Sequence, residues 1–132
     1  MSEKINAMSE VISKRLEHVR NRIAKAALAS NRSPDEIRLL AISKTFDVDH
    51  VRAAAIAGQV EFGENRVQEA EYKIKATRDL SLRWHLIGHL QSNKGKKAAK
   101  IFDSIHSVDR IEIVQKLEAG AQASGSKLEL FV

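Results

Sequence analysis

A chain of 132 residues, 43% hydrophobic and 30% charged, has the length and balance of one folded domain with a real core. It contains no apolar stretch near membrane-spanning length, no signal-peptide pattern and no cysteine, which excludes a disulfide framework and a thiolate metal site and predicts a cytoplasmic protein. The net charge of +5 favours anionic partners without separating nucleic acid from a phosphorylated small molecule.

The first thirty residues read as one long amphipathic helix, with Ile5, Met8, Ile12, Leu16, Val19, Ile23 and Ala26 recurring at helical spacing. Ser33-Pro34-Asp35-Glu36 has the form of a capping box with proline at the first helical position, predicting a short helical turn. Leu39 to Ser43 is a buried strand closed by Lys44, and Asp47 then caps a helix whose apolar face uses Val48, Val51 and Ala55, with Gly58 at its exit. A strand from Val60 to Gly63 leads into Glu64-Asn65. Asn65 with Gln68 predicts a cap for a helix carrying Val67, Ala70 and Ile74. Arg83 to Ile87 is a third strand ending at Gly88-His89, and Ser92 is the expected cap of a very basic helix. Ile105 and His106 fall in a fourth strand. Asp109 with Glu112 is the expected cap of a helix using Ile111, Val114, Leu117 and Ala121, and Leu128 to Val132 start a fifth strand.

Strands alternating with helices through short loops require right-handed crossovers and a parallel sheet. The strand-end positions Lys44, Glu64, Gly88 and Val108 mark a unit of about twenty residues, suited to a (β/α)8 TIM-type barrel or a doubly wound sheet. No Gly-x-Gly-x-x-Gly follows the first strand, which lowers the dinucleotide-binding alternative. A closed barrel needs at least about 200 residues. Residues 1–132 therefore read as a single α/β domain holding roughly the first half of a barrel.

Lys44 is the residue with the most chemistry in prospect. A lysine at the carboxyl end of a buried strand must be paired, solvated or chemically used, and desolvation would lower its pKa toward a nucleophilic amine. Ala41-Ile42-Ser43-Lys44-Thr45, Phe62-Gly63-Glu64-Asn65, Val67-Gln68-Glu69-Ala70, Trp84-His85-Leu86-Ile87-Gly88-His89-Leu90-Gln91-Ser92-Asn93-Lys94 and Ile105-His106-Ser107-Val108-Asp109 follow in one order. Together they resemble the pyridoxal-phosphate-binding homeostasis proteins of the YggS/PROSC type, from about residue 5 to the end. The resemblance implies the barrel fold of the alanine racemase N-terminal domain, and pyridoxal 5'-phosphate held as an aldimine (Schiff base) on Lys44. It also implies no catalytic activity and a role in buffering the cofactor or delivering it to apo-enzymes. Members of that family continue into later strands, whose serine, glycine and threonine groups cradle the phosphate and whose arginine faces the pyridine nitrogen. They often carry a proline near the helix start where this chain has Phe46-Asp47.

Beside Lys44, the expected cofactor-binding residues are Asn65 and His85. Asn65 reads equally as a helix cap, and a cap at a barrel mouth also faces the ligand. Strand alternation puts His85 and Ile87 on one face and Trp84 and Leu86 on the other, so His85 either lines the cofactor or is a satisfied core histidine. His106 carries the same ambiguity. Glu64 is a solvated loop charge or a partner holding a neighbouring group, and Ser107 and Asp109 read as caps. His85 and His89 lack a third ligand, so no metal site is expected. Lys94, Lys96, Lys97 and Lys100 form a basic helix face, either solvated or contacting an anion, and with no interleaved aromatic residue it gives little support to nucleic acid.

Three rivals remain. A racemase-like enzyme would need a proton-transferring group opposite Lys44 and a second domain, neither of which is visible. A basic interaction module would bind anions independently of Lys44. A half barrel alone also leaves sheet edges open, so a homodimer, a complementing fragment or an inert truncated product is expected as well.

Overall fold

The computed structural model describes residues 2–132. A long helix α1 (Glu3–Ala29) and a 3-10 turn (Pro34–Glu36) precede the alternating series β1 (Ala41–Ile42), α2 (Val48–Ile56), β2 (Glu61–Glu64), α3 (Val67–Ala76), β3 (Arg83–Leu86), α4 (Gly95–Ile101), β4 (Ser104–Ile105), α5 (Ile111–Ser124) and β5 (Glu129–Leu130). The five strands lie in one parallel sheet in chain order. Each strand is hydrogen-bonded to the one before it, as in an arc of a (β/α) barrel rather than a doubly wound sheet, whose strand order reverses.

The two faces of the sheet are separated by parity. Phe62, Trp84, Leu86 and Ile105 point toward the helices and form one buried cluster with Val51, Val67, Ala98, Ile113 and Leu117. The rings of Phe62 and Trp84, paired across β2 and β3, lie 5.4 Å apart. The other parity set, Ile42, Gly63, His85 and Ser104, turns away from the helices, and Gly63 is bare because Ile42 Cδ1 lies 2.9 Å from where its Cβ would stand. The opposite facings expected for His85 and Trp84 are therefore found.

Local signals explain most boundaries. The Ser33 capping box forms as expected, Ser33 N–H donating to Glu36 Oε2 at 2.8 Å. Asp47 caps α2 by accepting from His50 N–H at 3.1 Å, and Gly58 leaves that helix at φ +96. Three expected caps do not form: α3, α4 and α5 begin after Arg66, Lys94 and Arg110, none with a side-chain cap bond. Asn65 instead packs its backbone against Gly88 beyond the ends of β2 and β3, its carbonyl oxygen 2.4 Å from where a Cβ on Gly88 would lie. Ser92 sits inside a 3-10 turn (Ser92–Lys94), and the Asp109 carboxylate accepts from Arg110 Nη1 at 2.8 Å.

Helix faces also differ from the apolar spacing. α2 buries Val51, Ala53 and Ala54, and α5 buries Ile113, Leu117 and Gly120 while Ile111 is 66% exposed. Gly120 is the cause in α5. A Cβ there would meet Ala99 Cβ at 2.8 Å and the Lys96 carbonyl at 2.9 Å, so α4 and α5 pack at a distance only glycine allows. In α1, Val19 stays 37% exposed and Ala26 is exposed, because the helix is seated mainly against α2 rather than on the sheet.

Candidate functional site

The strand register, carried one residue beyond the ends of β2 to β5 and two beyond β1, sets Lys44, Asn65, Ile87, His106 and Phe131 level at the carboxyl edge of the sheet. The ladder continues through that level, with Ser43 N–H on Gly63 O at 3.0 Å, Ile87 N–H on Glu64 O at 2.9 Å and Phe131 N–H on Ile105 O at 2.9 Å. Alternation places Asn65, Ile87, His106 and Phe131 on the face away from the helices, where the His106 and Phe131 rings stack at 4.6 Å, while Lys44 stands in the turn that follows β1. The carboxyl edge is where barrels and open parallel sheets place their chemistry.

Lys44 is exposed there, so of the alternatives open to a lysine after an apolar run it takes the solvated one. The buried lysine is Lys73 of α3, whose side chain is 4% exposed and whose ammonium donates to Ser43 O at 2.7 Å, Glu64 Oε2 at 3.0 Å and Glu69 Oε2 at 2.8 Å. Ser43 Oγ donates to the same Glu64 oxygen, and Glu69 Oε2 also accepts from Thr45 N–H at 2.9 Å. Glu64 is thus fully buried and structural, not a solvated loop charge. Its second oxygen, Oε1, has no hydrogen-bond partner among the described residues. The hydrogen bond from Lys73, joined by that from Thr45, holds the Glu69 carboxyl below its usual range.

A second network runs down the same face below the level of Lys44. Arg38 donates to both oxygens of Glu61, Glu61 Oε1 meets His85 Nε2 at 3.0 Å, and His85 Nδ1 meets His106 Nε2 at 3.0 Å. Arg38 Nη1 also reaches Glu129 of β5 at 3.7 Å. The hydrogen bond from Arg38 holds Glu61 below the ordinary carboxylate range, with His85 adding to it against the effect of burial. His85 is buried with both ring nitrogens engaged, one level below Lys44. Burial, then the neighbouring His85, lowers the His106 pKa.

Of the expected residues, the sheet brings Lys44 and Asn65 to one level and puts His85 on β3, one level lower on the same sheet. His89 is exposed on the following loop, 3.9 Å from Asp109, and Ser107 Oγ donates to the Gly88 carbonyl at 2.6 Å, tying the β3 and β4 loops together. Glu61, Glu69 and Lys73 were not singled out from the sequence. The signal for Lys73 was present: it stands three residues after Ala70 on the stripe that buries Val67 and Ala70. Among the described residues, no group of three or more His, Asp or Glu side chains is arranged to hold a metal ion.

No family model matches the chain. It is 46% identical over 109 residues to the pyridoxal phosphate homeostasis protein of Escherichia coli (strain K12), a match covering 80% of this chain and 47% of that protein. PipY of Synechococcus elongatus PCC7942 superposes with a TM-score of 0.79 at 41% identity without PLP, over 90% of this chain and 51% of PipY. With PLP bound, PipY superposes at 0.70 and 43% identity, over 89% of this chain and 52% of PipY. The chain corresponds to the N-terminal part of the pyridoxal phosphate homeostasis proteins it matches. It spans about half the length of the curated relatives it matches.

Pyridoxal phosphate needs an amine for its aldehyde, a flat space for its ring and donors for its phosphate. Here the first requirement fits: Lys44 is an exposed primary amine at the strand-end level, with Asn65 level with it on the neighbouring strand and His106 three strands along the same edge. Phosphate sites of barrels sit on the loops after the seventh and eighth strands, beyond the five strands described here.

Proposed function

We propose that this chain supplies the amine-bearing half of a pyridoxal-phosphate-binding barrel of vitamin B6 homeostasis, with Lys44 as the covalent attachment point. The observation that carries the reading is an exposed lysine fixed at the carboxyl edge of β1 in a sheet that superposes on PLP-bound PipY. The cofactor contributes an aldehyde that condenses reversibly with an amine. The chain's own groups supply the rest. Lys44 offers the amine, Asn65 offers an amide at the same level, and His85 braces His106 from below. No group opposite Lys44 is assigned a proton-transfer role, so the reading is a carrier without turnover. Delivery to apo-enzymes in the cytoplasm completes the proposal; among the described residues no helix is long and apolar enough to cross a membrane.

The test is an absorption titration with pyridoxal phosphate followed by borohydride trapping and peptide mass analysis. A new visible band and label confined to Lys44 support the reading. Label scattered over surface lysines overturns it.

A second reading has its own observation. Lys75, Arg78, Lys96, Lys97 and Lys100 line a groove of about 410 Å³ between α3, α4 and α5, opposed there by Glu71. If that groove is the functional surface, anion binding will be steeply salt-dependent and indifferent to Lys44→Ala.

A further inference from the structure

The backbone around Lys44 is a turn that its own sequence does not favour. Phe46 N–H donates to Ser43 O at 3.1 Å, closing a turn whose two central residues are Lys44 and Thr45. Thr45 has φ +69. A positive φ at the third position of such a turn is normally taken by glycine or asparagine, and a β-branched residue there is strained. Something outside the turn must hold it.

The groups that do so come from one helix. Lys73 Nζ takes the Ser43 carbonyl at 2.7 Å, and Glu69 Oε2 takes the Thr45 N–H at 2.9 Å. The residue before Lys44 and the residue after it are therefore bonded to two α3 side chains that are themselves paired at 2.8 Å. Glu64, from β2, completes the clamp through Lys73 Nζ and Ser43 Oγ. Lys44 itself takes no part. It is the one residue between the two anchor points, and it is exposed.

We infer that the Glu69–Lys73 pair of α3 is a positioning device for Lys44, holding a strained Ser43–Phe46 turn so that the amine is presented at a fixed place on the carboxyl edge. The inference rests on the proposed role of Lys44 and adds to it which side chains make that role possible. Neither Glu69 nor Lys73 touches the cofactor in this scheme. Lys73 is too deeply built in to be a clean probe, since its loss leaves Glu64 buried without a counter-charge. Glu69 is 33% exposed, and removing it leaves the Glu64–Lys73 pair in place.

The experiment compares the wild-type chain with Glu69→Ala, Glu69→Gln and the double variant Glu69→Ala/Thr45→Gly. Two readouts are taken: amide hydrogen exchange at Thr45, and the rate of borohydride-trapped pyridoxal phosphate label at Lys44 under limiting cofactor. Circular dichroism melting serves as the control for folding. Loss of a hydrogen bond to a charged acceptor predicts about tenfold faster exchange at Thr45 and about tenfold slower labelling of Lys44 in Glu69→Ala. Glu69→Gln keeps an acceptor oxygen and stays close to wild type. Thr45→Gly removes the strain the clamp opposes and restores much of the labelling lost in Glu69→Ala. Wild-type exchange and wild-type labelling in Glu69→Ala would overturn the inference. Absence of Lys44 label in the wild-type chain would instead sink the attachment role, while exchange at Thr45 still decides whether the clamp exists.

Discussion

Lys44 and Lys73 divide between them the two fates of a lysine near a strand end: one is solvated and available, the other buried and fully bonded. Buried ion pairs are costly to break from one side. Lys73→Met strands the Glu64 carboxylate with 0% side-chain exposure and is expected to cost about 3–5 kcal/mol. Lys73→Met/Glu64→Leu removes both charges and recovers part of that loss, and urea denaturation of the two variants checks the order. The network of Arg38, Glu61, His85 and His106 carries a pH prediction. His106 is held below its ordinary value of 6.5, so as pH falls from there the unfolded chain protonates first and stability is lost. Glu61 is held below 4.5, so its contribution is present above that value and lost as pH falls through the folded one. Both act in the same direction. The urea midpoint is expected to fall in two stages on acidification, the first absent in His106→Asn.

At the scale of the elements, two glycines set distances that side chains cannot. Gly120→Ala forces α4 and α5 apart and is expected to cost about 1–3 kcal/mol, the usual range for overpacking. Gly88→Ala drives a methyl into the Asn65 carbonyl and is expected to move the β2 and β3 loops. Its reading is a loss of Lys44 labelling together with a lower melting temperature. The same glycines explain why element types were easier to read than element faces. The alternation of strand and helix, the Asp47 cap and the Ser33 box follow from residues acting on their own neighbours in sequence, and they were legible. The faces of α2 and α5 depend on how closely another helix approaches, which periodicity does not encode. Asn65 and Asp109 have good capping chemistry, but the Asp109 carboxylate is taken by the adjacent Arg110 and the Asn65 backbone is packed against Gly88.

For the whole molecule, the parallel order and the placing of Lys44 at the carboxyl edge could be argued from the chain alone. The clamp and the histidine column could not, because each joins residues from separate βα units. Among the described residues β1 and β5 are the sheet edges. Ile42 and Phe131, 43% and 42% exposed, keep the face away from the helices partly open. Open edges beside an apolar surface favour further pairing. The 132-residue polypeptide is therefore expected to self-associate with rising concentration, which sedimentation velocity reads directly.

One ion pair described above gains meaning when the chain is considered as it is synthesised. Each strand pairs only with the strand made just before it, so the sheet can extend outward from the ribosome one βα unit at a time, without waiting for distant segments. Arg38 is the exception. Its guanidinium is engaged by Glu61 as soon as β2 emerges, yet its contact with Glu129 waits for the fifth strand. Until then, among the described residues, no ion pair ties Arg38 to a strand beyond β2. Arrival of β5 adds a solvent-exposed tie, worth at most about 1 kcal/mol, from one edge of the sheet to the other.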